Sequence, residues 1–123
     1  MTAKKIPKIL VVEDYVPIQQ AIVAMFCGRA QVLSAHTKEQ AILLLKDNPD
    51  VDLITMDGNV PKKGGNKTEF TGDLVVEIRA WFKGPIIAAS LNDSYSDVLM
   101  GKGCSHRCPK MELPKKIGEV LGI

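Results

Sequence analysis

Three carboxylates, a hydroxyl and an ammonium stand just beyond short apolar runs of this chain. Glu13 and Asp14 follow Ile9-Leu10-Val11-Val12, and Asp57 follows Val51 to Met56. Ser90 follows Ile86-Ile87-Ala88-Ala89, and Lys110 lies just past Cys104 to Cys108. If the runs are neighbouring parallel strands, these end residues share one pocket although they span positions 13 to 110. Crowded carboxylates repel, and one is driven toward protonation unless a cation is present. A hard divalent ion such as Mg²⁺ resolves that, because it takes oxygen ligands and keeps several waters. Asp14 and Asp57 are then expected as direct metal ligands. Glu13 acts through a water, and a backbone carbonyl near Asn59 is a further ligand. An ionised Asp57 can attack an activated phosphorus and form an aspartyl phosphate. The ion, Ser90 and Lys110 would stabilise the equatorial oxygens in that transfer.

The elements that must position these residues alternate along the chain. Ile9 to Val12 is a continuous apolar run, as in a strand buried on both faces. Ile18, Ala21, Ile22, Met25 and Phe26 make one helical face, which Gly28 ends. A strand is expected near Gln31 to Ala35. Thr37 opens a second helix with Gln40 at capping-box spacing, and Ala41, Ile42, Leu44 and Leu45 form its apolar stripe. After the strand that leads to Asp57, residues 58–70 are expected as a loop, with Pro61, Gly64, Gly65 and the basic Lys62, Lys63 and Lys67. Thr71 is expected to cap a third helix whose core stripe is Leu74, Val75, Ile78, Trp81 and Phe82. Gly84-Pro85 precedes the fourth strand. A short helix carries Tyr95, Val98 and Leu99, and Gly101 and Gly103 end it. Cys104 to Cys108 is a weak fifth strand, and Pro114 suits the first turn of a last helix with Ile117, Val120 and Leu121. Five strands alternating with five helices predict an α/β fold with a doubly wound parallel sheet in the order 2-1-3-4-5. A dinucleotide site would need glycines after the first strand, and Glu13-Asp14-Tyr15 has none.

Bulk properties narrow the class. The 123 residues suit one domain, 1–123, and 24% charged against 46% hydrophobic residues is a globular balance. A net charge of +2 gives no argument for nucleic acid or a membrane surface. Cys27, Cys104 and Cys108 are odd in number and scattered, so a reducing, cytoplasmic setting is the expectation. No apolar stretch has the length of a transmembrane helix.

The motif set resembles the receiver domains of two-component response regulators over residues 6–121. The pieces are Val11-Val12-Glu13-Asp14, Leu53 to Pro61 around Asp57, Pro85 to Ser90, and Gly103 to Lys110. The resemblance implies a flavodoxin-like fold in which Asp57 is the phosphoacceptor and Glu13 and Asp14 are the acidic pair for Mg²⁺. Ser90 stands at the family's switch hydroxyl and Lys110 at its lysine. Asn59 and Asn92 fall where dephosphorylation is tuned. A sensor histidine kinase or a histidine phosphotransfer protein would supply the phosphoryl group. The output would be contact with a downstream protein, from a monomer or weak dimer, through the fourth helix, fifth strand and fifth helix. The chain departs from the pattern in its longer, basic loop after Asp57, in a slightly short segment between Ser90 and Lys110, and at three single positions. Arg107 occupies the aromatic-switch position, Met111 replaces the proline after the lysine, and Leu91 replaces a small residue and is expected to narrow access to Asp57.

Other readings compete. A phosphorylation-independent interaction module on the same fold would keep the scaffold and lose the switch, as Arg107 and Leu91 suggest, yet it usually lacks an acid or the lysine. The chain could also be the receiver of a hybrid kinase. A hydrolase would want an acid two residues after Asp57, where Asn59 cannot donate a proton usefully. A turnover enzyme is therefore not expected. Cys104, His106 and Cys108 share a strand face, but three candidates are a weak metal set.

Overall fold

Ile9, Leu10, Val11 and Val12 are all fully buried, so this strand needs cover on both faces. The computed structural model, which describes residues 6–61 and 67–123, supplies that cover. β1 (Lys8–Val12) lies between β2 (Gln31–Ala35) and β3 (Leu53–Met56). A hairpin of β4 (Asn59–Pro61) and β5 (Thr68–Phe70) comes next in the chain, followed by β6 (Ile86–Ala88) and β7 (His106–Arg107). The sheet runs β2-β1-β3-β6-β7, with every pair parallel. With the hairpin set aside, this is the 2-1-3-4-5 order of a flavodoxin-like fold. Among the described residues five α-helices join the strands: α1 (Val16–Met25), α2 (Lys38–Asp47), α3 (Gly72–Arg79), α4 (Asp93–Lys102) and α5 (Leu113–Leu121).

Alternation along the strands divides the core in two. Leu10, Val12, Ile54, Met56, Ile86 and Ala88 face one side, against Leu45, Val75, Ile78, Phe82 and Leu99 of α2, α3 and α4 and their flanks. Ile9, Val11, Leu53, Ile87 and Ala89 face the other, against Ile22, Phe26, Leu113 and Ile117 of α1 and α5 and their flanks. Each of the larger side chains among these contributes roughly 1.5–3 kcal/mol on burial, so the strand positions are tightly specified. α2 starts as its sequence implies: the Gln40 N–H donates to Thr37 Oγ1 at 3.1 Å, and Gln40 Oε1 accepts from the His36 N–H at 2.7 Å. No helix among the described residues is long and apolar enough to cross a membrane.

Several expectations need correction. Residues 58–70 are not simply a loop, because Asn59, Val60 and Pro61 pair antiparallel with Phe70, Glu69 and Thr68. The buried Val60 between half-buried neighbours gives that ribbon its inward side. Lys62, Lys63, Gly64 and Gly65 of the expected loop lie outside the described residues. Trp81 is 42% exposed, not core, because α3 closes at Arg79 and the chain turns so that Phe82 takes the buried place. Ala21 and Met25 also face outward. The inward face of α1 is Ile22 with the polar Gln19, followed beyond its end by Phe26. On α4 the buried face is Ser96 and Leu99, while Val98 is exposed. The fifth strand shrinks to His106 and Arg107.

Candidate functional site

The sheet ladder runs one step past the strand ends and sets the site. The Glu13 N–H donates to the Ala35 carbonyl at 2.9 Å, the Asp57 N–H to the Val12 carbonyl at 3.0 Å, and the Ala89 N–H to the Met56 carbonyl at 2.9 Å. Glu13, Asp57 and Ser90 are thereby held side by side on one edge. Gln19 adds to this from α1. It is buried, and its amide nitrogen lies 2.8 Å from the Val11 carbonyl, 3.0 Å from that of Glu13 and 3.1 Å from that of Ala35. The chain between Arg107 and α5 swings Lys110 back over the edge.

Glu13, Asp14 and Asp57 each offer a carboxylate oxygen within 4.8 Å of the others. Among the described residues they are the group of acids, cysteines and histidines close enough to share a metal ion. Lys110 Nζ is 2.9 Å from Glu13 Oε1 and 3.1 Å from Asp57 Oδ1. Glu13 Oε2 accepts from the Tyr15 N–H at 3.1 Å, so this buried acid is engaged on both oxygens. Three negative groups thus meet one ammonium. Burial raises the Asp57 carboxyl most, and hydrogen bonding to Glu13 and its charge raise it further. Lys110 opposes them, and the result is pushed up to about 7. Burial lowers the Lys110 ammonium, but Glu13 and Asp57 together outweigh it and the net shift is upward. The donor set fits a hard divalent cation, which would supply the missing positive charge and accept carboxylate oxygen.

Ser90 is buried, and its Oγ accepts from the Asn92 N–H at 3.1 Å. It packs over the peptide next to Asp57: a Cβ on Gly58 would sit 2.7 Å from Ser90 Oγ and 3.1 Å from Tyr95 Cδ2. A larger residue there would have to displace the serine or the tyrosine, which already occupy the space. Tyr95 also packs against Phe70 of the hairpin, with ring centroids 5.3 Å apart and the planes tilted by 45°. Asn59 is half-buried, two residues past Asp57, opposite Phe70.

Other sequence candidates are placed elsewhere. Arg107 pairs with Asp97 of α4 and lies 3.9 Å from Asp93 Oδ1, so its charge is directed onto α4. Leu91 is 83% exposed and forms a rim instead of a lid. It lines a groove of about 490 Å³ with Asp14, Tyr15, Ile18, Lys110 and Met111. Met111 is preceded by no cis bond, since the described chain has none. Cys104 is buried and its thiol pushed up to about 12 by burial, and His106 Nδ1 contacts the Ser105 hydroxyl at 2.8 Å. Cys104, His106 and Cys108 do not gather as a metal set. Thr71 does not cap α3 with its side chain, which turns back to the Asp57 carbonyl at 2.7 Å. The sequence reading missed this role, and that of Gln19, because the partners are backbone atoms far along the chain.

No family model matches the sequence, and no curated protein matches it. Solved structures do match in fold. A two-component response regulator from Clostridium difficile superposes with a TM-score of 0.78 at 19% identity, over 94% of this chain and 96% of that one. A CheY in complex with CheX, BeF3 and magnesium from Borrelia burgdorferi matches with a TM-score of 0.76 at 17% identity, over 94% of this chain and 89% of that one. A Burkholderia pseudomallei response regulator with a phosphorylated aspartic acid, calcium and citrate has a TM-score of 0.78 at 18% identity, over 94% of this chain and 66% of that one. The chain therefore has the fold of response regulator receiver domains.

Proposed function

We propose that this chain, built on the receiver fold, is a single phosphoacceptor domain over residues 1–123 that takes a phosphoryl group onto Asp57 and signals by protein contact. The observation that carries this is the grouping of Glu13, Asp14, Asp57 and Lys110 at the sheet edge. Mg²⁺ held by Asp14 and Asp57, with Glu13 and the Asn59 carbonyl in support, would neutralise the carboxylates and the transferring oxygens.

The chain's own groups do the rest. An Asp57 oxygen bonds to phosphorus as the P–N bond of a phosphohistidine breaks. The electron pair stays on the departing ring nitrogen, and the imidazole leaves neutral because its other nitrogen already carries a proton. Lys110 Nζ, already 3.1 Å from Asp57, meets the negative charge that arrives. Ser90, beside Gly58, offers its hydroxyl to a phosphoryl oxygen. The half-exposed Tyr15 and the exposed Leu91 and Met111 surround the mouth with apolar surface. That rim suits a folded donor, a histidine kinase or phosphotransfer protein, better than a free small molecule. The output partner is a protein as well, and the setting is cytoplasmic. No independent turnover enzyme is proposed, because Asn59 offers no proton where a hydrolase would place an acid.

A labelled phosphohistidine protein supplies the test. In the presence of Mg²⁺ the label is expected to pass to this chain and to be released by neutral hydroxylamine, as an acyl phosphate is. Label that stays on the donor with every kinase or phosphotransfer protein tried would favour the interaction module that needs no phosphoryl group.

A further inference from the structure

Thr71 is fully buried and stands fourteen residues beyond Asp57, at the start of α3. A threonine in that place ordinarily caps its own helix. This one stands at the N-cap but makes no side-chain cap bond. Its hydroxyl points at the Asp57 carbonyl at 2.7 Å and the Gly58 carbonyl at 3.2 Å, while its N–H donates to the Gly58 carbonyl at 3.0 Å. The hairpin explains how it gets there. Asn59 pairs with Phe70, so the next step of the ribbon brings Gly58 opposite Thr71.

The segment it touches is the one most in need of restraint. Ser90 and Tyr95 leave no room for a side chain at residue 58, and glycine has more backbone freedom than any other residue. The chain that carries the Asp57 carboxylate into the pocket would therefore swivel just after it. The Asp57 N–H is held by Val12 and its carbonyl by Thr71, so the residue is fixed at both ends.

We propose that Thr71 is a positioning residue for the acceptor site: by clamping the carbonyls of Asp57 and Gly58 it presets the Asp57 carboxylate and the Asn59 carbonyl for the divalent ion. The proposal rests on the phosphoacceptor reading above. A preset site binds without ordering its own backbone, and that difference is measurable as metal affinity. Thr71→Val keeps the shape and deletes the donor, whereas Thr71→Ser keeps the donor.

The test is Mg²⁺ titration calorimetry on the full chain, with amide hydrogen exchange of the metal-free protein. In Thr71→Val, Mg²⁺ affinity is expected to fall about tenfold, the worth of one hydrogen bond. Exchange at Gly58 and Asn59 quickens, while the amides of Ile9 to Val12 keep their protection. Thr71→Ser restores both readouts. If the valine variant fails to fold, Thr71→Ala makes the same comparison with less bulk. Wild-type Mg²⁺ affinity in the valine variant, or faster exchange spread evenly over the sheet with affinity unchanged, would overturn the positioning role alone. A wild-type chain that binds no Mg²⁺ overturns both this role and the reading it rests on.

Discussion

At pH 8 and without metal, Asp57→Asn is expected to melt about 10 °C above the wild-type chain. The cause is the burial of Asp57, reinforced by its hydrogen bond to Glu13 and the charge of that neighbour, which together lift its carboxyl from 3.8 to about 7. A group whose folded pKa is raised favours folding while it is protonated. Its contribution is complete below pH 3.8 and is lost as pH rises to about 7. Above that, ionised Asp57 costs the fold about 2–4 kcal/mol. Asparagine has the shape of the protonated acid and no charge to lose. The gap between the two proteins should therefore close as pH falls toward 4. Saturating Mg²⁺ should raise the wild-type melting temperature and leave Asp57→Asn much less affected, because the ion binds the folded acidic site. Thermal melts across this pH range make the check. Equal melting at pH 8 would mean that Asp57 is not under pressure from its neighbours.

Lys110→Ala should separate two properties that usually fall together. The ammonium lies within 3.1 Å of both Glu13 and Asp57, so it competes with a divalent ion for the same carboxylates. Without it, Mg²⁺ binding is expected to tighten. The rate of phosphoryl uptake at saturating Mg²⁺ should nonetheless drop by about 10²–10³-fold, the effect of losing one charged group aimed at the transferring oxygens. Calorimetry gives the first quantity and a single-turnover uptake rate the second. A variant that loses metal affinity and rate in proportion would make Lys110 a structural cation only. The melting temperature of the metal-free variant adds a third reading. A buried ion pair that loses one partner is strongly destabilised, but Asp57 can take up a proton and so limits that cost.

Much of this was legible because strand ends are legible. A buried parallel strand is apolar almost throughout, with Thr55 the exception in β3, so the polar residue that follows Val12, Met56 or Ala89 marks the sheet edge. Glu13, Asp57 and Ser90 could be placed there from the chain alone, and Lys110 followed from the last crossover. The helix faces were less legible where an element was short. Trp81 sits at helical spacing with Ile78, but α3 ends at Arg79, and periodicity says nothing beyond a helix end. Met25 fits the α1 stripe in the same way and is exposed.

The parts that escaped are those held by backbone contacts. Gln19 looks like a polar surface residue of a helix, yet it is buried against three carbonyls at the edge of β1 and β2. Thr71 carries an ordinary capping signature and spends its hydroxyl elsewhere. The β4–β5 ribbon has three residues a side and a proline, below the length at which alternation is recognisable. Its consequence is large for so small an element. It returns Thr71 to the site and sets Phe70 against Tyr95, whose ring borders Gly58, while Arg107 turns to α4.

The most direct measurement is the intact mass of the protein after incubation with a small-molecule phosphodonor and Mg²⁺, with Asp57→Asn alongside. The account predicts a gain of one phosphoryl group on the wild-type chain, none on Asp57→Asn, and none when Mg²⁺ is chelated. A wild-type chain that gains nothing from this donor or from a phosphohistidine protein, or an equal gain on Asp57→Asn, would contradict it.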